Sequence, residues 1–254
     1  MVSIDLNADM GESYGAWRLG DDAELCQVVT SANIACGFHA GDPLTLLTTC
    51  RSAVAEGVAI GAQVGYPDLL GFGRRFIDIA PDELTAAVLY QIGALVGMAK
   101  SSGGRVRYVK PHGALYNRAA VDEVQAKAVV EAVRSFDDTL PIVGLAGSIL
   151  LREAAVAGLR GVPEAFVDRA YHPDGQLVDR RSAGALIADP TEAADRAEQM
   201  VLQRTAPATD GSNLMMVAES LCVHGDSPGA VAMAHAVAER LVTRGVTLRA
   251  FTET

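Results

Sequence analysis

The sequence predicts an α/β protein of repeated strand–helix units, the pattern of a closed or nearly closed β/α barrel, and three observations carry that prediction. Short apolar runs alternate with longer amphipathic stretches along the whole chain. Glycine, proline and acidic residues fall between them where helices stop and start. Polar and ionisable residues gather after the strands and rarely before them, as in barrels whose chemistry lies at the strands' C-terminal ends.

The elements follow in order. Residues 2–6 read as a strand and 21–31 as a helix. Residues 32–36 are apolar and bounded by Gly37, as a buried strand is. Asp42 and Pro43 then provide the N-cap and first position of a helix over 43–56, which Gly57 stops. A strand over 58–62 enters a glycine-rich loop over 61–75. The next helix, 81–101, carries Asp82 and Glu83 in its first turn, where they complement the helix dipole. The alternation continues with a strand over 105–110, a helix over 121–136, a strand over 141–145, a helix over 148–157 and a strand over 162–167. A helix over 190–204, a polar loop over 205–213, a strand over 219–223, a helix over 228–244 behind Ser227 and a last strand over 246–251 complete it. Eight strands in 254 residues suit a barrel, with an open doubly wound sheet as the alternative. No linker divides the chain, so residues 1–254 are expected to form one domain.

Composition narrows the function. The formal net charge is -10, and arginine and lysine are scattered along the sequence, which leaves no electrostatic footprint for nucleic acid or an anionic membrane. Cys26, Cys36, Cys50 and Cys222 lack CxxC spacing, and three of them lie in apolar segments, so buried thiols in a reducing cytoplasm are expected. The N-terminus has no basic region followed by an apolar core, and no apolar run is expected to span a membrane. Neither a dinucleotide-binding G-x-G-x-x-G after the first strand nor a P-loop occurs.

The strand-to-helix loops hold Asn7, Asp9 and Glu12; His39 and Asp42; Gln63, Tyr66 and Asp68; Lys110 and His112; Asp168, Arg169 and His172; and His224 and Asp226. Four of the five histidines fall there, whereas His235 lies within a helix. Several have ordinary structural uses. Asp9 suits a turn into Gly11, Asp42 a helix cap, Asp226 a helix start, and Lys110 a pairing with a barrel carboxylate. Asp5, Asn7 and Asp9 share parity and so one side of an extended strand. Arg74 and Arg75 close the glycine-rich loop and could cover a bound anion.

Six segments resemble the LamB/YcsF family: IDLNADMGESYG (4–15), SANIACGFHAGDP (31–43), GYPDLLGFGRR (65–75), VKPHGALYN (109–117), EAFVDRAYHPDGQLVDR (164–180) and CVHGD (222–226). The resemblance spans nearly the whole chain in the family's order. It implies an irregular seven-stranded β/α barrel of the glycoside hydrolase and deacetylase kind, with one of the eight strands outside the ring. Gln63 and Val64 stand where many members have His-Pro, which leaves open any mechanism built on a histidine in that loop.

The activity implied is the 5-oxoprolinase reaction, ATP-dependent opening of 5-oxo-L-proline (pyroglutamate) to L-glutamate, performed with B and C partner subunits. A lactam is resonance-stabilised and its nitrogen leaves poorly, so ATP would phosphorylate the amide oxygen before water attacks the ring carbon. Such a site needs a base, an acid, donors for developing negative charge and a cation for the substrate carboxylate. Asp9, His39, His112, His224 and Asp226 are the acid/base candidates. Asn7, Asp42, Lys110, Asp168 and Arg169 are the substrate-binding candidates, Lys110 and Arg169 as anion binders. With no P-loop in the chain, ATP is expected on a partner, near loops 66–75 and 174–181. Two other classes use the same loops: a metal-dependent deacetylase, with Asp9, His39 and His224 on a divalent ion, and a non-catalytic lactam- or sugar-binding protein.

Overall fold

The computed structural model describes residues 2–253. Strands β1 (Ser3–Met10), β2 (Ser31–Ala35), β3 (Ala59–Val64), β4 (Val106–Pro111), β5 (Ile142–Leu145) and β6 (Gly161–Phe166) lie side by side and parallel. Two short antiparallel strands, β7 (Thr205–Pro207) and β8 (Asn213–Met215), form a hairpin away from this sheet. Strand β9 (Ser220–Val223) pairs with β6 on one side and β1 on the other, closing a ring of seven parallel strands. Strand β10 (Thr247–Leu248) pairs only with Ser3 and Ile4 at the base of β1 and stays outside the ring. The open-sheet alternative is thereby excluded.

Helices α1 (Asp22–Cys26), α2 (Pro43–Ala55), α3 (Pro81–Ser101), α4 (Gly113–Val121), α5 (Glu123–Phe136), α6 (Ile149–Val156), α7 (Pro190–Glu198) and α8 (Ala230–Thr243) cover the ring. Helix α3 is long and apolar enough to cross a membrane, contrary to the expectation from the sequence. Here Leu84, Val88, Ile92, Leu95 and Ala99 form one buried stripe against the barrel core. Each such large aliphatic side chain stabilises the fold by about 1.5–3 kcal/mol.

Several element boundaries differ from expectation for local reasons. The first strand runs to Met10, so Asn7 and Asp9 are strand residues: Asp5, Asn7 and Asp9 face the lumen while Leu6, Ala8 and Met10 pack outward. The first helix ends at Cys26, because Ser31 already pairs with Ala59. Helix α4 carries no capping signal in the sequence, since His112 at its N-cap makes no side-chain capping bond; Asp122 then caps α5 through Val124 and Gln125. Beyond Glu198 the helix widens into a π turn, Gln199–Gln203. Helix α8 starts behind Gly229 rather than Ser227.

The lumen is layered. At its base Ala59, Tyr108, Val143, Val162, Ala250 and Phe251 form an apolar plug, with the Tyr108 and Phe251 rings 5.0 Å apart. Above it the inward residues become polar, and the ionisable groups lie at the C-terminal mouth.

Candidate active site

The middle of the lumen is a closed polar network drawn from five strands. Asn7 donates to Glu164 Oε1 (2.8 Å) and Ser220 Oγ (2.6 Å), while Asn33 donates to Asn7 Oδ1 (2.6 Å) and Asp9 Oδ1 (2.8 Å). Lys110 Nζ, 2% exposed, sits among Glu164 Oε1 (2.7 Å), Asp9 Oδ1 (3.2 Å), Asn7 Oδ1 (3.2 Å) and Cys222 Sγ (3.2 Å). Burial would depress the ammonium, but Asp9, Cys222 and Glu164 hold it well above its ordinary range. The donors of Asn7 and Lys110 are therefore spent within the protein. Asn7 lies beneath the cavity, and Lys110, which reaches its floor, spends its bonds on supporting Asp9 and Glu164 rather than on a ligand carboxylate.

Asp9 is the top of this network. Burial pushes its carboxyl up, but Lys110, His224 and Asn33 outweigh burial and hold it below the usual range, so it is ionised. Both of its hydrogen bonds fall on Oδ1, which leaves Oδ2 for the cavity that Asp9 lines.

Beside it, Glu12, His39 and His112 each bring a ligand atom within 4.8 Å of the others. The two imidazoles stack with centroids 4.0 Å apart, and Phe72 stands edge-on to both. Glu12 Oε1 lies 3.7 Å from His112 Nε2, too far for a hydrogen bond. That oxygen and the Nδ1 atoms of both histidines are buried without partners. Burial, then the charges of Asp9 and Asp226, drive the Glu12 carboxyl well above its ordinary value. Burial also lowers His39 to about 4 and takes His112 well below its ordinary value, the latter helped by His39. A carboxyl whose proton is favoured by burial, with one oxygen unpartnered, and two imidazoles held neutral, each with an unpartnered Nδ1, fit a divalent cation, which would displace that proton.

Glycines let the 61–75 loop reach this trio. A Cβ on Gly65 would stand 2.7 Å from His39 Nδ1, and one on Gly73, whose φ is +64°, would stand 2.8 Å from His112 Nδ1. Gln63 lies in β3, and its Oε1 is 3.2 Å from His39 Nε2, so it orients His39 from the position where the family resemblance implies a histidine.

On the opposite wall Asp168 turns both oxygens to His224: 2.8 and 3.0 Å to Nδ1, and 3.0 Å to the backbone N–H. Burial raises Asp168, but His224 brings it below the usual carboxylate range. The pair fixes Nδ1 as a donor and leaves Nε2 for the cavity, with Phe166 stacked on the ring at 5.3 Å. Asp168 thus positions His224 and has no oxygen left for a substrate. Arg169 diverges from it, donating from Nη2 to the Val178 carbonyl (2.6 Å), while its buried Nε has no partner.

Two candidates are placed otherwise than the sequence suggested. Asp42 caps α2 through Leu44 and Thr45 and accepts from Gly15, so its oxygens hold two segments together outside the cavity. Asp226 bridges Arg74 (2.6 Å) and Arg180 (3.3 Å), so each of its oxygens is engaged by an arginine. A metal set of Asp9, His39 and His224 does not assemble among the described residues; Glu12 and His112 join His39 instead. Sequence reasoning passed over Glu164, a lone carboxylate inside the buried strand β6, which was the signal available. It also missed Tyr116 and Arg180, for which periodicity offered none. Asp9, Lys110, His112, Arg169, Arg180 and His224 line one cavity of about 1280 Å³ at the C-terminal mouth.

The LamB/YcsF family model matches residues 4–254. The A subunit of 5-oxoprolinase from Mycobacterium avium (strain 104) is 59% identical over 251 residues, covering 99% of this chain and 100% of its own. The crystal structure of a lactam utilization protein from Thermus thermophilus superposes with a TM-score of 0.93 at 50% identity, covering 98% of this chain and 100% of that one. A GH113 beta-1,4-mannanase, at a TM-score of 0.51 and 12% identity over 94% of this chain and 99% of its own, shares the barrel alone. The ring of seven strands, the six sequence segments at its mouth and this full-length match lead to one assignment: the chain belongs to the LamB/YcsF family.

Proposed function

We propose that the chain is the A subunit of a 5-oxoprolinase, hydrolysing 5-oxo-L-proline to L-glutamate at the expense of ATP together with B and C partner subunits. The names of the relatives support this reading. One structural observation carries it: an ionised Asp9 and an Asp168-oriented His224 face the same cavity. A carboxylate that can take a proton beside an imidazole whose Nε2 can carry one is what acid–base catalysis at a lactam needs.

Phosphorylation of the lactam oxygen by ATP makes the ring carbon electrophilic. Asp9 Oδ2 then accepts a proton as water's oxygen bonds to that carbon. The tetrahedral adduct then collapses: its hydroxyl proton passes to His224 Nε2 as the carbonyl forms, the C–N bond breaks with its electron pair going to nitrogen, and His224 hands that nitrogen the proton; a second water hydrolyses the opened acyl phosphate to glutamate and phosphate. Lys110 keeps Asp9 ionised throughout, and the closed network beneath excludes water from the floor. A divalent ion held by Glu12, His39 and His112 would supply Lewis-acid polarisation of an oxygen at the mouth. Because the chain carries no P-loop, the nucleotide is assigned to a partner, and loops 66–75 and 174–181 to the partner-facing rim.

The purified chain should neither hydrolyse ATP nor consume 5-oxoproline alone, and both activities should appear, coupled, once B and C are added. Steady glutamate formation by the chain alone, or none by the full complex, overturns the proposal. The Glu12–His39–His112 trio favours one second reading, a metal-dependent amide hydrolase, which release of acetate from acetylated sugars by the isolated chain would support.

A further inference from the structure

Six arginines line the cavity mouth of a chain whose net charge is -10: Arg74, Arg75, Arg118, Arg169, Arg180 and Arg181. Three have a carboxylate each, Arg75 with Asp68, Arg118 with Asp122 and Arg181 with Asp179. The other three do not. Arg74 and Arg180 share the single carboxylate of Asp226, at 2.6 and 3.3 Å. Arg169 is 5% exposed, makes no ion pair among the described residues and leaves its buried Nε unpartnered. Asp168, next to it in the chain, is turned to His224.

These three guanidiniums come from separate loops, after β3 and at two points after β6, so no local chain geometry forces them together. Burial, then Arg180 and Arg74, hold Arg169 below its ordinary value against the opposing pull of Asp168, which places both arginines within electrostatic reach of Arg169. Like charges gathered against so little counter-charge cost free energy in the empty protein and favour an anion. Guanidinium forks pair with phosphate oxygens two at a time, and a phosphoryl group offers three such oxygens, more than a carboxylate can. Asp226, a carboxylate already between two of the arginines, stands where part of such an anion would sit.

We propose that Arg74, Arg169 and Arg180 form a phosphoryl-binding subsite, with Asp226 as the internal anion that occupies it until ligand arrives. This rests on the lactam reading above, under which the group the subsite would take is the phosphoryl of the phosphorylated lactam. Arg74 and Arg180 hold the phosphoryl group at the mouth, and the ring lies inward towards Asp9 and His224.

The test is calorimetric titration of the intact chain with inorganic phosphate at constant ionic strength, with acetate as the comparison anion. Phosphate should bind and acetate should bind at least tenfold more weakly. Arg74→Gln and Arg180→Gln, both partly exposed positions, should each weaken phosphate by about ten- to a hundredfold. Asp226→Asn should move affinity the other way and tighten phosphate severalfold, a gain that misfolding could not produce. Equal binding of acetate, unchanged phosphate affinity in both arginine variants, or weaker binding in Asp226→Asn each overturn the subsite. Phosphate binding by the chain alone does not depend on glutamate formation by the complex, so failure of the lactam reading would show separately.

Discussion

Replacing Lys110 by Met keeps the length and apolar stem of the side chain while deleting the buried cation at the cavity floor. Lys110 Nζ stands 2.7 Å from Glu164 and 3.2 Å from Asp9, with 2% of the residue exposed, so both carboxylates would be left deep in the barrel without a counter-charge. Breaking a buried pair by removing one partner costs about 3–5 kcal/mol, against a total stability of roughly 5–15 kcal/mol. For a domain of this size that is a fall in Tm of roughly 6–20 °C. The sign of the pH dependence follows from Asp9. In the native protein its carboxyl lies below the unfolded value, so its contribution is present above that value of 3.8 and is lost as pH falls through the lower folded one. Without Lys110, burial dominates and lifts Asp9 above 3.8, so the variant loses stability as pH rises from there towards neutrality. The gap between the two proteins should widen from acid to neutral pH in urea unfolding followed by circular dichroism. A loss under about 1 kcal/mol at neutral pH, or a gap that does not change with pH, would refute the claim that Lys110 serves the inner carboxylates.

Two further outcomes are expected. In the reconstituted complex, Asp168→Asn should cut glutamate formation by about 10²- to 10⁴-fold by releasing the tautomer of His224, as should Asp9→Asn, His39→Ala and His112→Ala, whereas His235→Gln on the exposed face of α8 should be silent; near wild-type turnover in the first four would sink the site. Divalent metal binding by the chain alone should strengthen by about tenfold per pH unit while pH stays below the raised value of Glu12, because its proton must leave, and should vanish in Glu12→Gln; a flat profile measured by competition with a chromogenic chelator would exclude Glu12 as a ligand.

By itself the sequence determined the alternation of strands and helices, because apolar period and capping chemistry are local. Asp42 before Pro43 and Gly57 after the second helix mark boundaries that any three-dimensional arrangement must respect. It also determined that the ionisable residues lie near strand ends, and the six segments with a family resemblance lie on those same ends. What it could not reach was which of them meet. Asn7, Asn33, Lys110, Glu164 and Cys222 converge only because a closed ring with one particular register brings five strands to the same height, and register is a long-range property. The polar run Asn7 to Asp9 resembles a loop for the same reason: alternation marks an inward strand face only once a polar lumen exists to receive it. Likewise the arginines are scattered from residue 74 to 181 and show no cluster in the sequence, yet the barrel gathers six of them at one mouth. Folding also paired Asp168 with His224 and Glu12 with two imidazoles, so the protonation states of the site are set by burial and by neighbours distant in the chain, which no reading of local spacing contains.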